Sequence, residues 1–418
     1  MNARTAIILM ALIFTWLISS GQEQNVETNI KVEAATRQAE TAALQPADNS
    51  PVIISTATEK RSFKNARQIY REAMRYTVAV ITEWDDANDF QNPNYPRKGS
   101  FCSGIIRTIN DKPYVYTLNH CLNNFTNLKN FKISVEFSNG SWQEVEIVGY
   151  NEIPLDVALL KFKDEEFKVS ASAIIGNSDT LEVGESVVAL GHPYGIKNYL
   201  SKGIISRLTV TEVPYYNGPG LIGVDVRIMP GNSGGPLLNM RGEVVGLNQR
   251  VNVNNPSVLG QFPNIPLAIP INQFEAILPK LLKGGEIKIA DIGYHIRNSW
   301  ELRPEELQEI GVSKNLRRPV VLGPKIAPPI GLPRLWPFSN LREGDVILEY
   351  NDKPIKTCEQ IARENLTLKP GNRIKVTVLR NGKVIKKEVE LKDLKELMGS
   401  NSIMILKGLW EIIELKRK

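Results

Sequence analysis

From Thr77 to Pro270 the apolar positions come in short alternating runs. "TVAVIT", "GIIRTI", "YVYTL", "KISVEF", "EVEIVGY", "VALLKF", "SVVALG", "SKGIISRL", "IGVDVRI", "EVVGLNQ" and "PLAIP" follow one another, separated by turn residues. A period of two lays one face of each run on a core. Short strands in series, with no helices between them, predict Greek-key barrels or a sandwich rather than a sheet with helical crossovers. Upstream, "SFKNARQIYREAM" predicts a helix with Ser62 as its cap, running into a strand from Thr77. Downstream, "NQFEAILPKLLKGG" predicts a helix that stops at Gly284 and Gly285. The pattern therefore delimits a mainly β domain over residues 61–284.

Residues 285–392 read as a second, smaller α+β domain. "GDVILEYNDKPI" is a strand and turn, and "TCEQIARENLTL" a helix. "RIKVTVLRNGKVIKKEVEL" is a hairpin closed by Asn381-Gly382, a pair suited to a tight turn with positive φ. A proline-rich insert at 317–338 reads as irregular. The tail, 393–418, is apolar and basic, and is expected to form a helix packed on the body; a surface-binding helix is the lesser alternative.

The N-terminus follows neither pattern. One arginine, an apolar run over residues 6–18 and small residues after it predict a signal peptide at 1–21. An uncleaved membrane anchor is the alternative, and no later stretch is long and apolar enough to span a bilayer. Residues 22–60 are polar with almost no aromatics, as a flexible linker is. The chain is thus expected to be exported, periplasmic or extracellular.

Composition changes this picture little: 42% hydrophobic and 23% charged is ordinary for a globular chain. The net charge is +6, and the basic surplus lies beyond residue 285, dispersed along expected strands. That pattern fits a solvated face better than a nucleic-acid patch, so no nucleic-acid partner is expected. Of the three cysteines, Cys102 and Cys121 are near neighbours and Cys358 is remote. In an oxidising compartment the first two are candidates for a bridge and the third for a buried thiol. No Cys/His spacing suggests zinc, and no metal or cofactor is expected.

Chemistry concentrates around "MPGNSGGPLL", which places Ser233 in Gly-x-Ser-x-Gly. A nucleophile elbow needs a helix directly after the serine, and Gly234-Gly235-Pro236 is a poor start for one. The other arrangement has chain order His, Asp, Ser. His120 ends a strand in "VYTLNHC" and Asp156 precedes the apolar run "VALLKF". A serine hydroxyl needs a base to take its proton, and the imidazole needs a carboxylate to hold it. Each of the three has a bland reading as a turn or structural residue; their joint occurrence, in order, favours a triad. The amides of Gly231 and Ser233 are the natural oxyanion donors, with Pro230 stiffening the approach.

These segments resemble the HtrA/Deg family of trypsin-like serine proteases. "VDVRIMPGNSGGPLLN", "YVYTLNHC" and "LDVALLKF" are similar to its serine, histidine and aspartate segments, and "VVALGHPYGIKNYLSKGIISRL" to its Gly-x-Pro-x-Gly region. The likeness covers roughly residues 75–283 and implies a chymotrypsin-like double β-barrel. It also implies that His120 is the general base, Asp156 its orienter and Ser233 the nucleophile. His192, in the Gly-x-Pro turn, reads as structural. Residues 291–391 resemble the PDZ domain that follows the protease in this family. Such domains bind C-terminal peptides by strand addition, and Ile292, Gly293 and Tyr294 match the carboxylate-binding loop. Digestive trypsin-like enzymes carry a bridge beside the histidine, which implies a Cys102–Cys121 disulfide. Arg227, six residues before Ser233, takes a position that can line the specificity pocket. A buried arginine there would favour acidic side chains; the favoured reading has it point elsewhere.

The expectation is an exported endopeptidase acting on unfolded polypeptides through an acyl-enzyme, with a PDZ-like domain that captures peptides or regulates. Family members often form homo-oligomers. The rivals are a silent peptide-binding or chaperone-like protein, a scaffold tethered to the membrane through an uncleaved N-terminus, and an α/β-hydrolase esterase.

Overall fold

A computed structural model describes residues 62–85, 99–122, 129–210, 218–250, 266–324 and 341–397. The expected signal peptide, the linker, most of the proline-rich insert and nearly all of the tail lie outside the described residues.

The first helix, α1 (Ala66–Ala73), is capped by Asn65 and not by Ser62. Asn65 Oδ1 accepts the Gln68 amide at 3.0 Å, and Gln68 Oε1 accepts the Asn65 amide at 2.9 Å. This reciprocal box satisfies two helix-end donors at once, which a lone serine three residues earlier cannot do.

Six strands form the first barrel: β1 (Thr77–Asp85), β2 (Gly99–Ile109), β3 (Lys112–Leu118), β4 (Lys129–Glu136), β5 (Trp142–Asn151) and β6 (Val157–Phe162). Their order is β5-β4-β1-β2-β3-β6, and a β5–β6 pairing closes the ring. Six more close the second: β7 (Ser186–Gly191), β8 (Tyr199–Val210), β9 (Leu221–Val224), β10 (Pro236–Asn239), β11 (Val244–Arg250) and β12 (Pro266–Pro270). Alternation fills the interiors with Val78, Val80, Ile105, Val115 and Leu159 on one side and Val187, Ile222, Leu237 and Val245 on the other. Closure removes the exposed edges that short strands would otherwise present. The strand absent from the eleven expected runs is β10, whose four residues are all buried and show no alternation.

Helix α2 (Ile271–Leu281) ends before Gly284 and Gly285, both at positive φ. There β13 (Gly285–Glu286) pairs in parallel with β5. The chain then enters the second unit: β14 (Ala290–Asp291), β15 (Tyr294–Asn298), α3 (Pro304–Glu309), β16 (Pro319–Pro324), β17 (Val346–Tyr350), β18 (Lys353–Pro354), α4 (Cys358–Thr367), β19 (Arg373–Arg380), β20 (Lys383–Glu390) and β21 (Lys392–Asp393). Its main sheet runs β15-β16-β17-β19-β20, so β15 is an edge strand, with α4 beside it. Asn381 and Gly382 both adopt positive φ in the β19–β20 turn, as the pair predicts.

Asp345, fully buried, is held by Arg380 through Nε–Oδ1 at 2.6 Å and Nη2–Oδ2 at 2.7 Å, and it also accepts the Arg342 amide. Breaking one side of such a pair strands a charge in the interior. Arg380→Met is expected to destabilise the second unit by about 3–5 kcal/mol, read as a lower urea midpoint, and Asp345→Leu added to it should recover part of that loss.

Candidate active site

His120 sits in the turn that ends β3, between the buried residues Asn119 and Cys121. Cys121 is bonded to Cys102 on β2, so the histidine turn is fastened to the neighbouring strand. Cys358 is the free cysteine, partly buried, and burial followed by the nearby Glu359 and Glu301 carboxylates pushes its thiol pKa up.

Asp156 reaches His120 from the loop between β5 and β6. Its Oδ2 lies 2.5 Å from His120 Nδ1, and its Oδ1 accepts the His120 amide at 2.7 Å. Both carboxylate oxygens therefore hold the same residue, fixing the ring as well as its backbone. The loop is braced from within by buried Asn151, whose Nδ2 donates to the Ile153 and Ile287 carbonyls at 2.7 and 2.8 Å. Its Oδ1 accepts the Leu155 amide at 3.0 Å. Asp156 itself adopts φ +55°, unusual for a non-glycine residue. A third partner escaped the sequence reading: Gln249 on β11 donates from Nε2 to Asp156 Oδ2 at 3.2 Å. Its signal was a polar pair, Asn248-Gln249, inside an otherwise apolar strand, where a buried amide must find a partner.

Burial alone would lower the His120 pKa, but the Asp156 charge and hydrogen bond outweigh it and the net shift is upward. Asp156 thus favours the imidazolium that forms when the ring takes a proton.

Ser233 is buried, in the segment that precedes β10. Around it every carbonyl from 229 to 233 is anchored. Met229 O accepts Asn232 N at 3.0 Å, Pro230 O accepts Tyr194 N at 2.9 Å, and Gly231 O accepts Ser103 Oγ at 2.7 Å. Asn232 O accepts Gly235 N at 3.0 Å and Ser233 O accepts Ser103 N at 2.8 Å. In a trans peptide the N–H points opposite to the C=O. Anchoring Pro230 O and Asn232 O therefore turns the Gly231 and Ser233 N–H groups away from those anchors. Neither amide donates to another group among the described residues. Gly231 holds φ +100°, and a Cβ there would strike the His192 carbonyl oxygen. A Cβ on Gly234 would strike the Ser103 carbonyl oxygen. No hydrogen bond joins the Ser233 hydroxyl to the His120 ring among the described residues.

His192 is buried beneath this segment, and burial, then the Lys197 charge, pushes its pKa down to about 4. Arg227 is exposed; its carbonyl accepts Ser201 Oγ at 3.1 Å and Asn232 Nδ2 at 3.5 Å. In the second unit, Ile292 and Tyr294 are buried and Gly293 between them has φ +82°, with its amide on Asp291 Oδ1 at 2.7 Å. At the far end of β15, Asn298 Oδ1 accepts the first amide of α4, Cys358 N, at 2.8 Å.

The model of a trypsin-like peptidase domain matches residues 102–247, and that of a PDZ domain residues 337–391. A probable periplasmic serine endoprotease, DegP-like, from Pseudomonas putida (strain W619) is 33% identical over 310 residues, 73% of this chain and 59% of the relative. The periplasmic pH-dependent serine endoprotease DegQ of Escherichia coli (strain K12) is 31% identical over 309 residues, 73% of this chain and 62% of the relative. The chain thus spans about three fifths of the length of these relatives. Among solved structures, the HtrA-type protease AlgW with tripeptide aligns at TM-score 0.59 and 23% identity, covering 78% of this chain and 96% of that one. That likeness is one of fold.

The raised His120 pKa sets a measurable order. By NMR, His120 should titrate above the ordinary histidine value of 6.5 and His192 near 4. In Asp156→Asn the carboxylate charge that raises it is gone, so the His120 midpoint should fall relative to wild type.

Proposed function

We propose, for a chain that belongs to the HtrA/Deg family of trypsin-like serine proteases carrying a PDZ domain, that it is an exported endopeptidase acting on unfolded polypeptides. Two observations carry the reading: a histidine gripped by both oxygens of an aspartate, and a buried serine whose own amide and that of Gly231 have no partner among the described residues.

In this reading His120 Nε2 takes the proton of Ser233 Oγ as the oxygen attacks the scissile carbonyl carbon. The carbonyl π pair moves onto oxygen, and the Gly231 and Ser233 amides receive the oxyanion. The carbon–nitrogen bond then breaks, His120 gives its proton to the leaving amine, and water attacks the acyl-enzyme by the same steps. Asp156 holds the ring in the tautomer with its proton on Nδ1. Catalytic hydrogen bonds are often long before substrate arrives, and closure of the Ser233–His120 bond belongs to the substrate complex.

The PDZ-like unit supports a peptide-capture role, since β15 offers a sheet edge beside α4 for strand addition. Ile292, Gly293 and Tyr294 are the proposed carboxylate-binding loop. The exposure of Arg227 supports the reading in which its side chain points elsewhere than into the pocket for the residue before the cut. The periplasmic relatives support export to that compartment. Among the described residues no helix is long and apolar enough to cross a membrane.

The deciding test incubates the chain lacking residues 1–21, and its Ser233→Ala form, with reduced casein. Cleavage by the first, falling at least about 10³-fold in the second, is the expected outcome. Equal cleavage by both, or none by either in the presence of a panel of C-terminal peptides, returns the chain to a silent peptide-binding role. Mass spectrometry of the fragments reads the preference at Arg227.

A further inference from the structure

Ser103 lies on β2, in the first barrel, yet two of its groups grip the nucleophile segment of the second. Its amide donates to Ser233 O at 2.8 Å, and its hydroxyl donates to Gly231 O at 2.7 Å. The hydroxyl oxygen also accepts the His192 amide at 3.0 Å and lies 3.3 Å from His192 Nδ1. A carbonyl can only accept, so the hydroxyl proton goes to Gly231. A bond to His192 then requires the proton on Nδ1, which the neutral ring can supply. Ser103 is completely buried, and its carbonyl accepts Thr117 Oγ1 at 2.8 Å. Its hydroxyl bond therefore competes with no solvent.

The peptide between Gly231 and Asn232 separates the two amides assigned to the oxyanion. Its carbonyl is held by Ser103 Oγ and its N–H by Met229 O. Were that carbonyl released, the plane could rotate about the bonds flanking it. Glycine at 231 offers little resistance to such rotation. The Gly231 and Ser233 amides, which the proposed mechanism requires to meet on one oxyanion, would then turn relative to one another. The next residue back, Cys102, carries the disulfide to Cys121 and so to the histidine turn. One dipeptide thus touches the base's support and both ends of the oxyanion segment.

We propose that Ser103 is a positioning residue for the reaction: from the first barrel, its hydroxyl holds the Gly231 carbonyl and thereby keeps the two oxyanion amides convergent. This rests on the assignment of Ser233 as nucleophile. The serine acts through the peptide it orients and does not touch the substrate.

The test compares wild type, Ser103→Ala, His192→Asn and Ser233→Ala in the chain lacking residues 1–21. Each is assayed on quenched-fluorescent casein, with a fluorophosphonate probe of the serine, and each rate is divided by the folded fraction from near-UV circular dichroism. Ser103→Ala keeps the backbone bond to Ser233 and loses only the hydroxyl. It should lower kcat about 10- to 100-fold, short of the 10²–10³ typical of losing an oxyanion donor outright. KM should stay within about twofold, and phosphonylation should slow in step with kcat, since both form a tetrahedral centre. His192→Asn retains the Ser103–Gly231 bond and should stay within about threefold of wild type.

Ser103→Ala with kcat near wild type, or with its whole loss in KM or folded fraction, overturns the proposal while leaving an inert Ser233→Ala to uphold the nucleophile. Full activity in Ser233→Ala overturns both. A crystal structure of the wild-type phosphonate adduct decides the matter without a variant. The Ser103 Oγ–Gly231 O bond should persist there, with the phosphonyl oxygen on both amides; a Gly231 carbonyl turned away from Ser103 refutes the proposal.

Discussion

The structure depends on how closely the two barrels approach at one point. Ser103 and Thr117 of the first barrel meet Gly231, Ser233 and Gly234 of the second at close range. A side chain at 234 would hold these segments apart, and one at 231 would strike the His192 turn beside it. In the proposed reaction the base, His120, belongs to one barrel and the nucleophile, Ser233, to the other, so their separation is a distance between two closed sheets. Catalysis tolerates errors of only a fraction of an ångström in such distances. Rigid, densely packed barrels can hold that tolerance, and loops on their own cannot.

The same seam explains the unusual backbone around Ser233. A buried amide without a partner is costly, and proteins rarely leave one so. Among the described residues, two such amides, of Gly231 and Ser233, lack a partner, while the carbonyls around them are all anchored. In the proposed reaction these unmet hydrogen bonds would serve charge that appears only in the transition state, which is how a site stabilises it more than the ground state. The aspartate loop shows the complementary strategy. Asp156 is fully employed, holding the ring and backbone of His120 and receiving Gln249, so its charge is fixed in place before any proton moves.

The second unit is joined to this machinery. Asn151 spans from the Asp156 loop to Ile287, on the segment that leads from β13 into the PDZ-like unit. Lys280 at the end of α2 donates to the Leu366 and Leu368 carbonyls at the end of α4, and Arg363 of α4 pairs with Asp179. The two units are therefore joined both at the Asp156 loop and along α2 and α4.

Short apolar runs between turn residues made eleven of the twelve barrel strands legible. β10, four residues directly behind Gly234-Gly235, was too short to stand among them as a run of its own. The helix starts at Asn65 rather than at the expected Ser62: both are cap residue types, and the reciprocal Gln68 side chain chose between them. Residue type and chain order marked out His120, Asp156 and Ser233, since acyl transfer needs a base, its orienter and a nucleophile whatever the fold. What only the tertiary structure decided is how they are held. Gln249 and Ser103 lie far along the chain from the residues they support, and Asn151 ties its own loop to the distant Ile287. The polar pair Asn248-Gln249 marks a buried amide without naming its partner, and nothing in the local pattern of Asn151 or Ser103 tells an anchor from an ordinary strand residue. A hydrogen bond between barrels exists only once two sheets have closed and packed, and that is a property of the whole chain.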